Sequence, residues 1–201
     1  MTTARERLLD ALAEIMRTRG LAEATTKEIA RLAGCSEALL YKHFRDKEEL
    51  MLSVLRERMP PFTHRLLPGE DTVTGNLVAT VHGGLRFYRR AFPMMAGMLV
   101  QPRVLAATRE SLGKYDAGPQ EPVNRVTAYL DAERDLGRVR ADADTSAVAA
   151  LLVGATFQQG FLLFFTAGPE GPDPAEEDAA RLVRPLLPSL LPEGGSEGGR
   201  G

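Results

Sequence analysis

The chain has 201 residues, 44% of them hydrophobic and 26% charged, with a formal net charge of −2. That length supports one or two domains and a sizeable core, and the composition excludes a disordered, collagen-like or disulfide-framed protein. The near-neutral balance means that any nucleic-acid footprint must be local, and the single cysteine, Cys35, fits a reducing compartment.

Taken in order, residues 3–19 read as an amphipathic helix, with Leu8, Leu9, Leu12, Ile15 and Met16 on one stripe and Gly20 ending it. Its start, MTTARERLLD, lacks the apolar run of a signal peptide. Residues 25–47, TTKEIARLAGCSEALLYKHFRDK, then predict two short helices around a tight turn. Thr25 and Glu28 stand at capping-box spacing, so each side chain is expected to satisfy a free backbone N–H. Gly34 sits where a helix ends, Ser36 can cap the next, and Leu39, Leu40 and Phe44 fall at inward spacing. Asp46 and Glu49 repeat the capping spacing and open a further helix with Leu50, Met51, Val54 and Leu55 inside, stopped at Pro60 and Pro61.

Beyond a connector at about 58–70, the pattern is helical throughout. Residues 71–91 keep helical period, and 92–101 read as a separate methionine-rich helix. Helices follow at 103–114, 121–136, 145–167 and 174–191, the last interrupted by Pro185 and Pro188. The tail from 193 has no apolar residue and is expected to be disordered. The apolar run at 151–165 is interrupted by Gln158 and Gln159, so no membrane span is expected.

A helix held by a partner helix across a fixed turn fits the major groove of DNA. The side chains placed outward or at helix starts are Thr26, Ser36, Glu37, Ala38, Tyr41, Lys42, His43 and Lys47. They form the candidate DNA-binding set. Lys42, His43 and Lys47 suit phosphates, while Ser36, Glu37, Ala38 and Tyr41 lie nearer the bases.

The run TTKEIARLAGCSEALLYKHFRDKEEL resembles the DNA-binding domain of the TetR family of bacterial transcriptional regulators. Thr25, Ile29, Ala30, Gly34, Ser36, Leu40, Tyr41, His43, Phe44, Lys47 and Leu50 match its pattern. Leu39 and Glu37 depart from it, which bears on base preference rather than on the mode of binding. The resemblance implies an all-α fold. A helix-turn-helix domain at 1–58 would precede a larger helical ligand-binding and dimerisation domain at 59–192, with the tail at 193–201. It also implies a cytoplasmic homodimer on a palindromic double-stranded DNA operator, with repression as the common mode. The last two long helices would form the dimer interface. An effector pocket would lie between, and Phe87, Tyr88, Met94, Met98, Tyr129, Gln158, Phe161 and Phe165 are the candidate lining for a small apolar or amphipathic ligand. Gln158 and Gln159 are expected to face that pocket or the partner subunit, since a buried amide needs partners. The alternative is a DNA-binding regulator controlled by a protein partner without any small ligand.

An enzyme is the rival class. The chain has no G-x-S-x-G, no P-loop and no G-x-G-x-x-G; His43, His64 and His82 are scattered, and the paired carboxylates sit at helix starts. No cofactor or metal is expected.

Overall fold

The computed structural model describes residues 2–20, 24–58, 66–100, 102–114 and 118–192, and among them every regular element is helical. The helices are α1 (Ala4–Thr18), α2 (Thr26–Leu32), α3 (Glu37–His43), α4 (Lys47–Glu57), α5 (Val73–Leu99), α6 (Pro102–Lys114), α7 (Glu121–Asp135), α8 (Thr145–Ala167) and α9 (Glu176–Val183). A 3-10 turn at Arg184–Leu186 leads into α10 (Leu187–Leu190). Pro60 and Pro61, expected to stop α4, and the tail 193–201 lie outside the described residues.

The chain divides into two compact units. One is Met1–Met59 with Arg90–Gly118; the other is Pro60–Arg89 with Pro119–Gly201. The segment 1–58 falls within the first unit, which also takes in the end of α5 and all of α6.

In the first unit the α1 stripe is buried as its spacing predicts. Ile29 and Ala30 of α2, Leu40 of α3, Phe44, and Leu50, Met51 and Val54 of α4 complete the core. Leu39 is only half-buried. The Arg5 guanidinium lies 5.3 Å from the centre of the Phe44 ring and pairs with both carboxylate oxygens of Glu57, at 2.7 and 2.6 Å. Arg58 reaches Asp10 at 2.6 Å, so two charged pairs hold the end of α4 on α1.

The helix starts behave as local chemistry dictates, with one exchange of partners. Thr25 caps α2 by accepting from the Glu28 N–H at 3.2 Å, and Ser36 caps α3 by accepting from the Leu39 N–H at 3.2 Å. Glu28, however, does not reach back to Thr25. Its carboxylate binds Arg31 at 2.7 Å and Arg19 at 2.9 Å instead, because two guanidinium groups outcompete one backbone N–H. A reciprocal capping box does form at Thr3 and Glu6, ahead of α1. Gly34 ends α2 at φ +63°, where a side chain would be strained.

In the second unit, Val73, Leu77, Val81 and Leu85 of α5 pack with Val126 and Leu130 of α7, Val148, Leu152 and Val153 of α8, and Val183 of α9. α7 against α8 is its most extensive helix pair. Helix α5 differs from the sequence expectation: it runs unbroken through Pro93, where two helices separated at 91 and 92 were expected. The apolar stripe continues across the proline, with Tyr88, Ala91 and Met94 all buried, and this continuity keeps the helix intact despite a missing N–H. Pro185 has the effect its position predicts, leaving the 3-10 turn between α9 and α10.

The segment joining α8 to α9 is pinned to α5. Arg89 is 1% exposed, donates to the Pro172 carbonyl and pairs with Asp173 at 2.8 Å, while His82 donates to the Pro174 carbonyl at 2.9 Å. A second buried polar cluster ties the turn before α5 to α7. Asn76 donates to the Tyr129 hydroxyl at 3.0 Å, and fully buried Glu133 accepts from the Gly69 N–H at 3.1 Å and pairs with Arg138.

Candidate nucleic-acid interface

All eight candidate DNA contacts come to the surface on α2, α3 and the start of α4. Ser36, Glu37, Ala38, Tyr41, Lys42 and His43 are exposed, and Thr26 and Lys47 are half-buried. This follows from the α3 period: Leu40 and Phe44 go into the core, which leaves the flanking positions on the outside. Two of the eight touch. The Thr26 hydroxyl donates to Glu37 Oε2 at 2.8 Å, joining the first residue of α2 to the first residue of α3. Burial pulls the Lys47 ammonium below its usual value, and Glu48 opposes that pull.

Residues 1–58 carry 11 Lys and Arg against 10 Asp and Glu, so total charge does not make this segment basic. Pairing decides which cations remain available. Arg5, Arg17, Arg19, Arg31, Arg45 and Arg58 are each bonded to a carboxylate. Arg31, then Arg19, holds the Glu28 carboxyl down at about 2. Lys42 on α3 and Lys27 on α2 stand exposed, with no such pairing among the described residues. Lys27 is absent from the sequence-based set; its place beside Thr26 at the start of α2 is the signal that identifies it. Arg7 is a second addition. It ties α1 to the turn, with Nε donating to the Ala33 carbonyl at 3.0 Å and Nη2 lying 3.4 Å from Cys35 Sγ.

The candidate effector residues are placed differently from one another. Tyr88 and Tyr129 are buried and Phe87 is half-buried in the second unit. Met94 is buried in the first, and the Met98 side chain lies outside the described residues. Tyr88 stands edge-on to Phe157 at 5.0 Å and to Phe87 at 5.5 Å, and burial pushes its hydroxyl up to about 12. Burial likewise raises the Tyr129 hydroxyl. Gly160 of α8 meets Tyr88 directly: a β-carbon there would come within 2.5 Å of Tyr88 Cβ.

Gln158, Phe161 and Phe165 are exposed. The expectation of a buried amide at 158 is therefore not met within one chain; Gln158 accepts a hydrogen bond from Gln159 at 2.9 Å at the surface. These residues share a face of α8 with Leu151, Gly154 and Leu162. Exposure reaches 62% at Leu151, 40% at Phe161, 38% at Leu162 and 75% at Phe165. Ala149, by contrast, goes into its own core, as do Val183 and Leu190. Beside that face, a groove of about 420 Å³ lies between α5, α8 and α9, lined by Leu85, Gln159, Leu163, Asp178, Arg181 and Leu182. By length and composition α8 could cross a membrane, with 33% of its most apolar window buried in the chain.

Residues 8–54 match the family described as bacterial regulatory proteins, tetR family. The chain is 39% identical over 57 residues to the HTH-type transcriptional regulator SrpR of Pseudomonas putida; this stretch is 28% of the chain and spans 27% of that relative's length. Across the whole fold it is similar to SmeT, the repressor of the Stenotrophomonas maltophilia multidrug efflux pump SmeDEF. The TM-score is 0.63 at 23% identity, covering 97% of this chain and 94% of that one. A SmeT–triclosan complex gives a TM-score of 0.65 at 22% identity, covering 95% and 93%. The first of these is a transcriptional regulator and the second a repressor. Residues 8–54 thus carry the helix-turn-helix described for bacterial regulatory proteins of the tetR family, within an all-helical fold similar to that of SmeT.

Proposed function

We propose that the protein is a cytoplasmic transcriptional repressor that binds a palindromic operator as a homodimer and is released by a small apolar or amphipathic effector. No cofactor is needed for this. The observation that carries the proposal is the face of α2 and α3, where Tyr41, Lys42 and Glu37 stand exposed on helices fixed by the Gly34 turn. Residues 1–58 would supply the DNA contacts, and 59–192 the pairing and effector binding.

The α8 face supports pairing. A soluble chain seldom leaves a stripe such as Leu151, Phe161 and Phe165 in water, and a two-fold partner would cover the same stripe of its own. Gln158 would then hydrogen-bond across that seam. Effector binding draws on Phe87 and Tyr88, which are half-buried and buried large side chains of the second unit, and on the triclosan complex of SmeT. In this reading Phe161 and Phe165 serve the seam before the pocket. An effector would act by moving α4 and so changing the separation of the two α3 helices, which DNA requires near 34–36 Å, about one helical turn. The effect is bounded by the effector's preference for one separation over the other.

The test is fluorescence anisotropy with a duplex from the protein's own upstream region, at two salt concentrations, against a scrambled duplex. Tight, salt-dependent and sequence-selective binding is expected, with the mass of two chains per duplex by light scattering. Equal binding to both duplexes, from protein shown by mass spectrometry to carry no bound compound, would count against the proposal.

A further inference from the structure

We infer that Glu37 is a specificity-determining residue that reads a cytosine in each half-site, held in place by Thr26; the inference rests on the DNA-binding reading above. Glu37 is the one acid among the exposed candidate contacts Ser36, Glu37, Ala38, Tyr41, Lys42 and His43. A carboxylate on a surface that meets phosphates weakens binding to every duplex, unless a donor on the DNA answers it. It is also not free to turn away. The Thr26 hydroxyl holds Oε2 at 2.8 Å, and Oε1 has no protein partner among the described residues. Thr26 is half-buried, so the clamp is anchored on the scaffold rather than floating in solvent.

The first residues of a helix in this position are those that reach base edges. In the major groove only cytosine N4 and adenine N6 offer hydrogen-bond donors. Adenine sets its donor beside the N7 acceptor, a pair that suits an amide; cytosine shows the donor alone, which suits a carboxylate with one oxygen already engaged. Guanine and thymine present acceptors, O6 and O4, which a carboxylate repels. Glu37 therefore selects by rejection as much as by attraction. The Thr26 hydroxyl, being spent on Glu37, acts as a positioning group, and a phosphate contact beside it falls to the exposed Lys27.

The experiment is selection from a pool of duplexes with a randomised stretch of about 25 base pairs, room for two half-sites one turn apart. The full-length wild type, Glu37→Gln, Glu37→Ala and Thr26→Val are compared, each checked for an unchanged circular dichroism melt. The isosteric Gln variant keeps an acceptor for Thr26 and guards against a loss of fold. Wild type is expected to enrich a two-fold motif with one fixed C·G pair per half. The Gln variant should change that pair to adenine, the Ala variant should leave it unspecified, and Thr26→Val should blur it, with all other positions retained. Replacing that pair should cost wild type about tenfold in affinity per half-site. Both Glu37 variants should bind scrambled duplex more tightly than wild type, because a charge facing the phosphates is gone. The same base enriched by wild type and both Glu37 variants would overturn the assignment of Glu37 while leaving the DNA-binding reading intact. No motif at all from wild type would overturn both.

Discussion

On the pairing proposed above, replacing Phe165 by serine should separate the two subunits at concentrations where the wild type stays paired. Phe165 is 75% exposed on α8, so its removal costs the folded single chain little. Burying a whole phenylalanine contributes roughly 1.5–3 kcal/mol, and three-quarters of that is about 1–2 kcal/mol. A two-fold interface counts the change twice, giving about 2–4 kcal/mol and a dissociation constant raised about 30- to 1000-fold. The exposed fractions of Leu151, Phe161, Leu162 and Phe165 amount to about two whole side chains, or roughly 4 kcal/mol per subunit. Twice that is comparable with the cost of association, so loss of one ring in each subunit is enough to tip the balance. The assay is sedimentation velocity across a dilution series, with Leu136→Ser as control. Leu136 is 56% exposed but lies at the end of α7, off the stripe. If the dilution curves of Phe165→Ser and wild type overlay, or if Leu136→Ser shifts the curve as far, α8 is not the seam.

Lys42→Ala should weaken binding to all duplexes alike and reduce the slope of log K against log salt by about two per dimer, one for each subunit; an unchanged slope removes Lys42 from the phosphate contacts. Gly160→Ala gains about 1 kcal/mol of helix propensity but forces a β-carbon to 2.5 Å from Tyr88 Cβ, an overpacking cost of about 1–3 kcal/mol. Gly113→Ala in α6 meets nothing within 4 Å and should stabilise by about 1 kcal/mol, so a melting comparison in which Gly160→Ala gains as much would refute the close approach of α5 and α8. Glu28 titrates at about 2 rather than at its ordinary 4.5, so the stability it contributes is complete above pH 4.5 and is lost as the pH falls towards 2. Melting temperatures measured between those limits should fall less steeply for Glu28→Gln than for the wild type, and parallel curves would show that the two arginines do not set that titration.

The helix-turn-helix was legible because its signals are local. Thr25, Ser36 and Gly34 act within a few residues of themselves, and the α1 stripe faces inward wherever the chain goes next. Both ends of α8 were legible too, from Asp144 as its cap and the apolar run that follows. What α8 buries was not. It is apolar all round, so periodicity cannot say which side is the core, and Ala149 turned inward while Gln158 turned to solvent. The join between 91 and 92 was not legible either: the methionine-rich run 92–101 reads as a separate helix, but a continuous buried stripe carries α5 across Pro93. The Glu28–Arg19 pair and the Thr26–Glu37 hydrogen bond were beyond reach, since each joins residues that meet only after the helices have packed.

The thiol in the turn offers a way to watch the protein work. Cys35 is the one cysteine of the chain, half-buried between α2 and α3. A spin label or fluorophore attached there needs no engineered site and appears once per subunit. In a homodimer two such labels report the distance between the two DNA-reading helices, before and after a compound is added. That distance, rather than affinity, distinguishes an effector that spreads the helices from one that blocks the DNA face.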